Sequence, residues 1–207
     1  FDEAAGNFQT TNYTGTGVAG DPLRVNVADP DAACNAFAAF IASPAPNASF
    51  DGVEVPLTMG SCDGNFPPFI PNPVVPGRDA GMVNNTLVHE FGHALLARLI
   101  GGPQWMQGGG FGQIGAMHEG TGDFLALIVG MEATDDPTDA QSSERWYTDY
   151  QTSRRQPYSY DFAIDGRTFD DWNTLLDPVT GVPNTQVHQA GEIWASTLYD
   201  MTWELIF

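Results

Sequence analysis

The sequence predicts an α+β fold, with a strand- and loop-rich N-terminal part over 1–83 and a mainly helical part over 84–207. Three observations predict it. Before position 80 the apolar residues come in short runs, such as "LRVNVAD" (23–29) and "DGVEVPL" (51–57), set among Gly, Pro, Asn and Asp. From Asn84 the apolar spacing changes to three and four, the period of a helix buried on one face. Two later apolar segments are long enough for several helical turns each. A chain of 207 residues suffices for one large domain or two smaller parts that share a core.

In chain order, "NFPPFIPNPVVPG" (65–77) is too rich in proline for a helix or a central strand and reads as an irregular covering segment. The first helix runs from Asn84 to Ile100, where "GGP" stops it. "QGGGFGQIG" (107–115) is expected to be a flexible connection, followed by a second helix from Ala116 to about Met131. The stretch from Glu132 to Asp149 is acidic and polar, a solvated loop or helix start. Its carboxylates would suit Ca2+, but their spacing matches no calcium loop, so calcium stays unassigned. A final apolar helix starts near Gln186 and reaches Phe207 without Gly, Pro or a polar cap, so the natural polypeptide is expected to continue. Phe1 stands where a Met would begin a full chain, which suggests a mature or trimmed piece.

The net charge is −19, with seven basic residues, all arginine, against 26 acidic ones. That excludes a nucleic-acid partner, which needs a basic footprint. Such a surface is soluble and self-repelling and suits an extracellular or salty setting. No apolar run reaches the roughly 18 residues of a membrane span. Cys34 and Cys62 can form one bridge in an exported protein, stabilising by roughly 3–4 kcal/mol, or remain two unrelated buried thiols.

The chemistry concentrates in "LVHEFGHALLARL" (87–99). His89 and His93 are four apart and share one helix face. H-E-x-x-H on a helix is a zinc signature: two imidazoles offer neutral nitrogens to one ion, and Glu90 leans toward the open position as general base for a zinc-bound water. A catalytic zinc needs a third protein ligand. The extended pattern with a third histidine is absent, because positions 96 and 99 are leucines. "AMHEGTGDF" (116–124) supplies His118, Glu119 and Asp123 instead. Glu119 and Asp123 are four apart on one face, so Glu119 can bind the metal while Asp123 accepts from the outer nitrogen of a ligating histidine. Glu119 is favoured over His118, although a glutamate opening a helix also suits the helix dipole.

Five blocks, "EAAGNFQ" (3–9), "GRDAGMVNNTLVHEFGHALLARLIGGP" (77–103), "GAMHEGTGDF" (115–124), "RRQPYSYD" (154–161) and "VHQAGEIWASTLYD" (187–200), follow in order those of the fungalysin family. The chain therefore resembles the catalytic domain of these secreted zinc metallopeptidases, relatives of thermolysin. The resemblance implies a thermolysin-like zincin fold with the active-site helix between the two parts. It also implies His89, His93 and Glu119 as zinc ligands, Glu90 as general base and Asp123 behind the ligands. "VHQAG" resembles the block that places a histidine over the zinc, so His188 would donate to the oxyanion; from the residues alone such a histidine is more often a core or helix-cap residue. "NAF" (35–37) resembles the edge strand that holds the substrate backbone, which points to Asn35 and Ala36, or it is a turn beside Cys34. Arg154 resembles a substrate-carbonyl contact, with Arg155 as its rival, and Tyr158 is a candidate for the tyrosine at the oxyanion. Met117–His118 before the glutamate and Thr121–Gly122 after it depart from the family pattern, so His118 would compete for metal or line the pocket.

The function expected is a secreted endopeptidase that hydrolyses peptide bonds of protein or peptide substrates, with an inhibitory propeptide as a further candidate partner. The alternatives are a catalytically silent zincin-fold domain used for adhesion or protein binding, and a zinc hydrolase acting on non-peptide bonds. The intact Glu90 argues against the silent domain, since a structural zinc needs no base.

Overall fold

Strand β3 (Pro56–Gly60) is the centre of a three-stranded sheet, flanked by β1 (Arg24–Asp29) and β2 (Ala36–Ala38) in the order β1-β3-β2. The computed structural model describes residues 1–32, 35–38, 51–61, 80–100, 112–143, 154–173 and 187–206. Cys34 and Cys62, with the bridge expected between them, lie outside the described residues, as do the proline-rich segment 65–77 and "GGP".

β1 pairs with β3 in parallel, Val25 opposite Leu57, and β2 pairs with β3 antiparallel, Phe37 opposite Thr58. Being central, β3 is covered on both faces: Leu57 and Met59 on one and Thr58 on the other are buried, whereas β1 is exposed along most of its length. The β1 register slips between Asn26 and Asp29, where Ala28 takes φ 55°, a left-handed bulge residue. The run expected as a strand over 51–57 forms one only from Pro56. Its first residues are taken up in a turn that docks the N-terminal segment: Gly52 N–H donates to Asp21 at 2.9 Å, and Asp51 accepts from Val18 N–H at 2.6 Å.

Helix α1 (Asn84–Leu99) lays Leu87, Phe91 and Ala94 against Ala38, Val55 and Leu57, with Phe8 and Leu23 filling the edges. These positions recur at four and three, the stripe a helix buries. Near its C-terminal end, the Arg98 side chain is 2% exposed and donates to Asp21 at 2.7 Å, Gly6 O at 3.0 Å and Val53 O at 2.6 Å. The guanidinium also lies 4.6 Å over the Phe8 ring, so one cation ties three segments of the N-terminal part to α1.

Helix α2 (Gly112–Val129) lies between α1 and α3 (Val187–Ile206). It begins four residues before the expected Ala116 because packing overrides the low helix propensity of the glycines there: Gly115 is buried. α2 and α3 cross at backbone contact. A Cβ on Gly120 would lie 2.3 Å from Gly191 O, and one on Gly191 would lie 2.8 Å from Ala116 O, so both positions require glycine. Beside this crossing Ala116, Ala190 and Ile193 cluster with Trp172; further along, Leu127, Ala195, Tyr199 and Trp203 close over Tyr158. Among the described residues, no helix is long and apolar enough to cross a membrane.

Candidate metal centre

α1 presents His89 and His93 toward α2 because the opposite stripe of the helix is held by the sheet. The approach is tight at Gly122, where a Cβ would fall 2.7 Å from His89 Nδ1. Glu119, one turn earlier on α2, reaches both rings: Oε2 lies 3.3 Å from His89 Nε2 and Oε1 lies 3.6 Å from His93 Nε2. The three residues offer ligand atoms that all lie within 4.8 Å of one another. Adjacent ligands of a tetrahedral ion with bonds of about 2.0–2.1 Å stand about 3.3 Å apart, close to the two nitrogen–oxygen spacings found.

The donor set also fits a cation by its polarity. Glu119 Oε2 is buried and has no well-formed hydrogen bond among the described residues, although imidazole nitrogens of His89 and His188 lie within 3.4 Å. Burial works against charge on His89, yet the Asp123 and Glu119 carboxylates on either side outweigh it and hold its pKa well above the usual value. The same position between carboxylates draws a metal ion. For His93 burial prevails and depresses the pKa to about 3, leaving a neutral imidazole suited to ligation. Glu119 stays ionised well below the usual carboxylate range; burial opposes this, and the imidazoles of His93, His89 and His188 override it.

Behind the histidines, Asp123 Oδ1 accepts from His89 Nδ1 at 2.9 Å, which leaves His89 Nε2 facing Glu119. Asp123 is held in turn by Arg154, through Nε and Nη2 at 2.7 Å each, and by the Tyr158 hydroxyl. Tyr158 is fully buried with its hydroxyl committed to Asp123, so it stands behind the site and not at the oxyanion. Arg155 turns away to Glu192 at 2.9 Å, which separates it from its neighbour Arg154. His118 lies on the far side of His93, its Nδ1 3.3 Å from His93 Nδ1.

Glu90 is buried beside the ligand set. Burial, with the Glu119 charge nearby, raises its carboxyl to about 7, against the opposing pull of His89, the Ala38 amide and Arg154. The backbone of Ala38 is thus among the groups that hold the Glu90 carboxyl down, which brings the end of β2 to bear on α1. No side-chain pattern could announce that influence, since it comes from backbone. β2 contains Ala36, and Asn35 precedes it on the exposed edge. His188 stands in the first turn of α3, its side chain 49% exposed and Nε2 3.4 Å from Glu119 Oε2.

Comparison with known proteins identifies the family. The family model of the fungalysin metallopeptidases (M36) matches residues 1–207. The extracellular metalloproteinase mep of Aspergillus terreus is 31% identical over 207 residues, covering 100% of this chain and 29% of the relative. Extracellular metalloproteinase 10 of Coccidioides posadasii is 30% identical over the same span, again 29% of its length. Extracellular metalloproteinase 1 of Phaeosphaeria nodorum is 28% identical over 211 residues, also 29% of its length. The chain thus spans under a third of the curated relatives it matches. Because the family match runs from the first residue to the last and the histidine and glutamate side chains converge on one point, the chain belongs to the fungalysin metallopeptidase family.

Proposed function

We propose that this chain carries the zinc centre of a secreted endopeptidase, with the cleft between the strand-rich part, 1–83, and the helical part, 84–207, in a thermolysin-like arrangement. The observation that carries the reading is a buried glutamate outside the ligand set but beside it: Glu90, raised to about 7. His89, His93 and Glu119 would hold the zinc ion, which would supply Lewis acidity for polarising the scissile carbonyl and acidifying the attacking water.

Glu90 takes a proton from that water and passes it to the leaving amine, work suited to a group whose pKa lies near neutrality. His188, half-exposed at the rim, donates to the carbonyl oxygen as charge develops on it. The substrate chain lies along β2. Asn35 O accepts from Gly60 N–H of β3 at 2.7 Å, and strand alternation turns the next residue, Ala36, to the outward edge for pairing with a peptide backbone. Asn35 adds a side chain at that edge, and Arg154, fixed by Asp123, faces the substrate carbonyls. Secretion is supported by the relatives, each named extracellular, and by the acidic, lysine-free composition.

The test is metal analysis and casein hydrolysis by the full-length protein and its Glu90→Gln variant, with and without a chelator. Zinc should be stoichiometric in both, while turnover falls by about 10²–10⁴-fold in the variant, because an amide cannot accept the proton. Unchanged hydrolysis by zinc-loaded Glu90→Gln would refute the assignment of the base.

A further inference from the structure

His118 is nearly absent from the surface, at 1% exposure, and lies outside the proposed ligand set while touching it. Its contact with His93 is specific. The ring planes are 24° apart and the centroids 5.6 Å apart, with the two Nδ1 atoms separated by 3.3 Å. That centroid distance is the nitrogen–nitrogen gap extended by one ring radius at each end. The rings therefore meet edge to edge, nitrogen to nitrogen, in nearly one plane, the geometry of an N–H···N hydrogen bond and not of a face-on stack.

Such a bond requires a proton on one nitrogen and a lone pair on the other. His93 points Nε2 at Glu119 Oε1, 3.6 Å away, and a ligand must offer its lone pair there. A neutral His93 then carries its proton on Nδ1, where His118 waits. His118 must accept through Nδ1 and keep its own proton on Nε2. We infer that His118 is a positioning residue, which accepts the His93 Nδ1–H and so fixes the ring and tautomer of the second metal ligand.

The inference rests on the zinc reading above and goes beyond it. His118 approaches His93 at the nitrogen remote from Glu119, so it orients a ligand and does not compete to be one. Adjacent positions on α2 divide the work, being about 100° apart around the helix: Glu119 serves the inner nitrogen of His93 and His118 the outer one. The two ligand histidines are consequently held by different chemistry. His89 leans on a carboxylate, which raises its basicity, while His93 leans on a neutral imidazole and remains the weaker donor to the metal.

Nitrogen-15 NMR of the zinc-loaded full-length protein reads the tautomers directly. His93 should be protonated at Nδ1, and His118 at Nε2 with a bare, hydrogen-bonded Nδ1. A proton on His118 Nδ1, or a zinc-induced shift at either His118 nitrogen typical of ligation, would overturn the inference. Chelator competition on variants gives the second reading. His118→Leu, which fills the space without an acceptor, should weaken zinc binding by about 10–100-fold. His118→Asn, whose side-chain oxygen accepts from His93, should stay near the parent. A packing role predicts the reverse order, with leucine tolerated and asparagine not, and that result would also overturn the inference. If the variants fail to fold, the tautomers of the parent still decide. A parent protein that binds no zinc would refute the metal centre itself, a failure distinct from zinc bound with the wrong His118 tautomer.

Discussion

Replacing Asp123 with asparagine removes one charge from the most heavily used carboxylate behind the site. Its side chain is 1% exposed and its two oxygens receive four donors. Oδ1 takes His89 Nδ1 at 2.9 Å and Arg154 Nη2 at 2.7 Å; Oδ2 takes Arg154 Nε at 2.7 Å and the Tyr158 hydroxyl. Asparagine has one oxygen and one NH2 group. With the oxygen toward His89, the NH2 faces the Arg154 Nε–H, donor against donor, while the Tyr158 hydroxyl can turn to accept. The guanidinium, only 11% exposed, then loses the carboxylate charge with which it is paired here. Breaking a buried pair from one side costs about 3–5 kcal/mol, a large share of the roughly 5–15 kcal/mol that holds a domain together. His89 keeps an acceptor, so zinc affinity should fall only toward the lower end of the about 10–100-fold range for such partners. Urea unfolding of the metal-free protein measures the first quantity and chelator competition the second. Adding Arg154→Met to Asp123→Asn should recover much of the lost stability, because it removes the buried charge that Asp123 neutralised. A loss below about 1 kcal/mol, or additive losses in the double variant, would refute the reasoning.

His188→Ala should lower the turnover number by about 10²–10³-fold, with KM and zinc content little changed, since the lost interaction forms mainly in the transition state. A variant that instead melts earlier and keeps its turnover would identify His188 as a helix-cap residue. Asp200, on α3, gives a pH prediction. Partial burial, together with Asp165 and Glu204 nearby, raises its carboxyl to about 6 despite Arg167. The folded state then binds more protons than the unfolded state from about pH 4 to pH 6, so this group lowers stability as pH rises through that window. Asp200→Asn should raise the Tm at pH 8 and leave it nearly unchanged at pH 4; equal shifts at both would exclude this origin.

Much of the candidate metal centre is legible from spacing. His89 and His93, and likewise Glu119 and Asp123, stand four apart, and four residues on a helix place two side chains on one face whatever the helix packs against. The first helix was legible for the same reason, with its apolar stripe at Leu87, Phe91 and Ala94. Where glycine stood, local propensity misled: α2 begins at Gly112 and not at Ala116, because a buried crossing tolerates glycine that an isolated helix would not. β3 was displaced toward Gly60 because Asp51 and Gly52 are recruited into hydrogen bonds with a distant segment.

The sequence by itself determined which side chains share a helix face and what chemistry they can perform, because the helical repeat is a property of the local backbone. Only the tertiary structure decided which faces meet. Tyr158 was brought to Asp123 and away from the oxyanion, Arg154 was parted from Arg155, and His118 was set against the outer nitrogen of His93. Each of these contacts depends on the rotation and separation of packed elements. Those are set by the glycine-to-backbone crossing of α2 with α3, and by the close approach of Gly122 to the His89 ring. Such distances arise from side chains far apart along the chain excluding one another in a shared interior, and no local repeat encodes them.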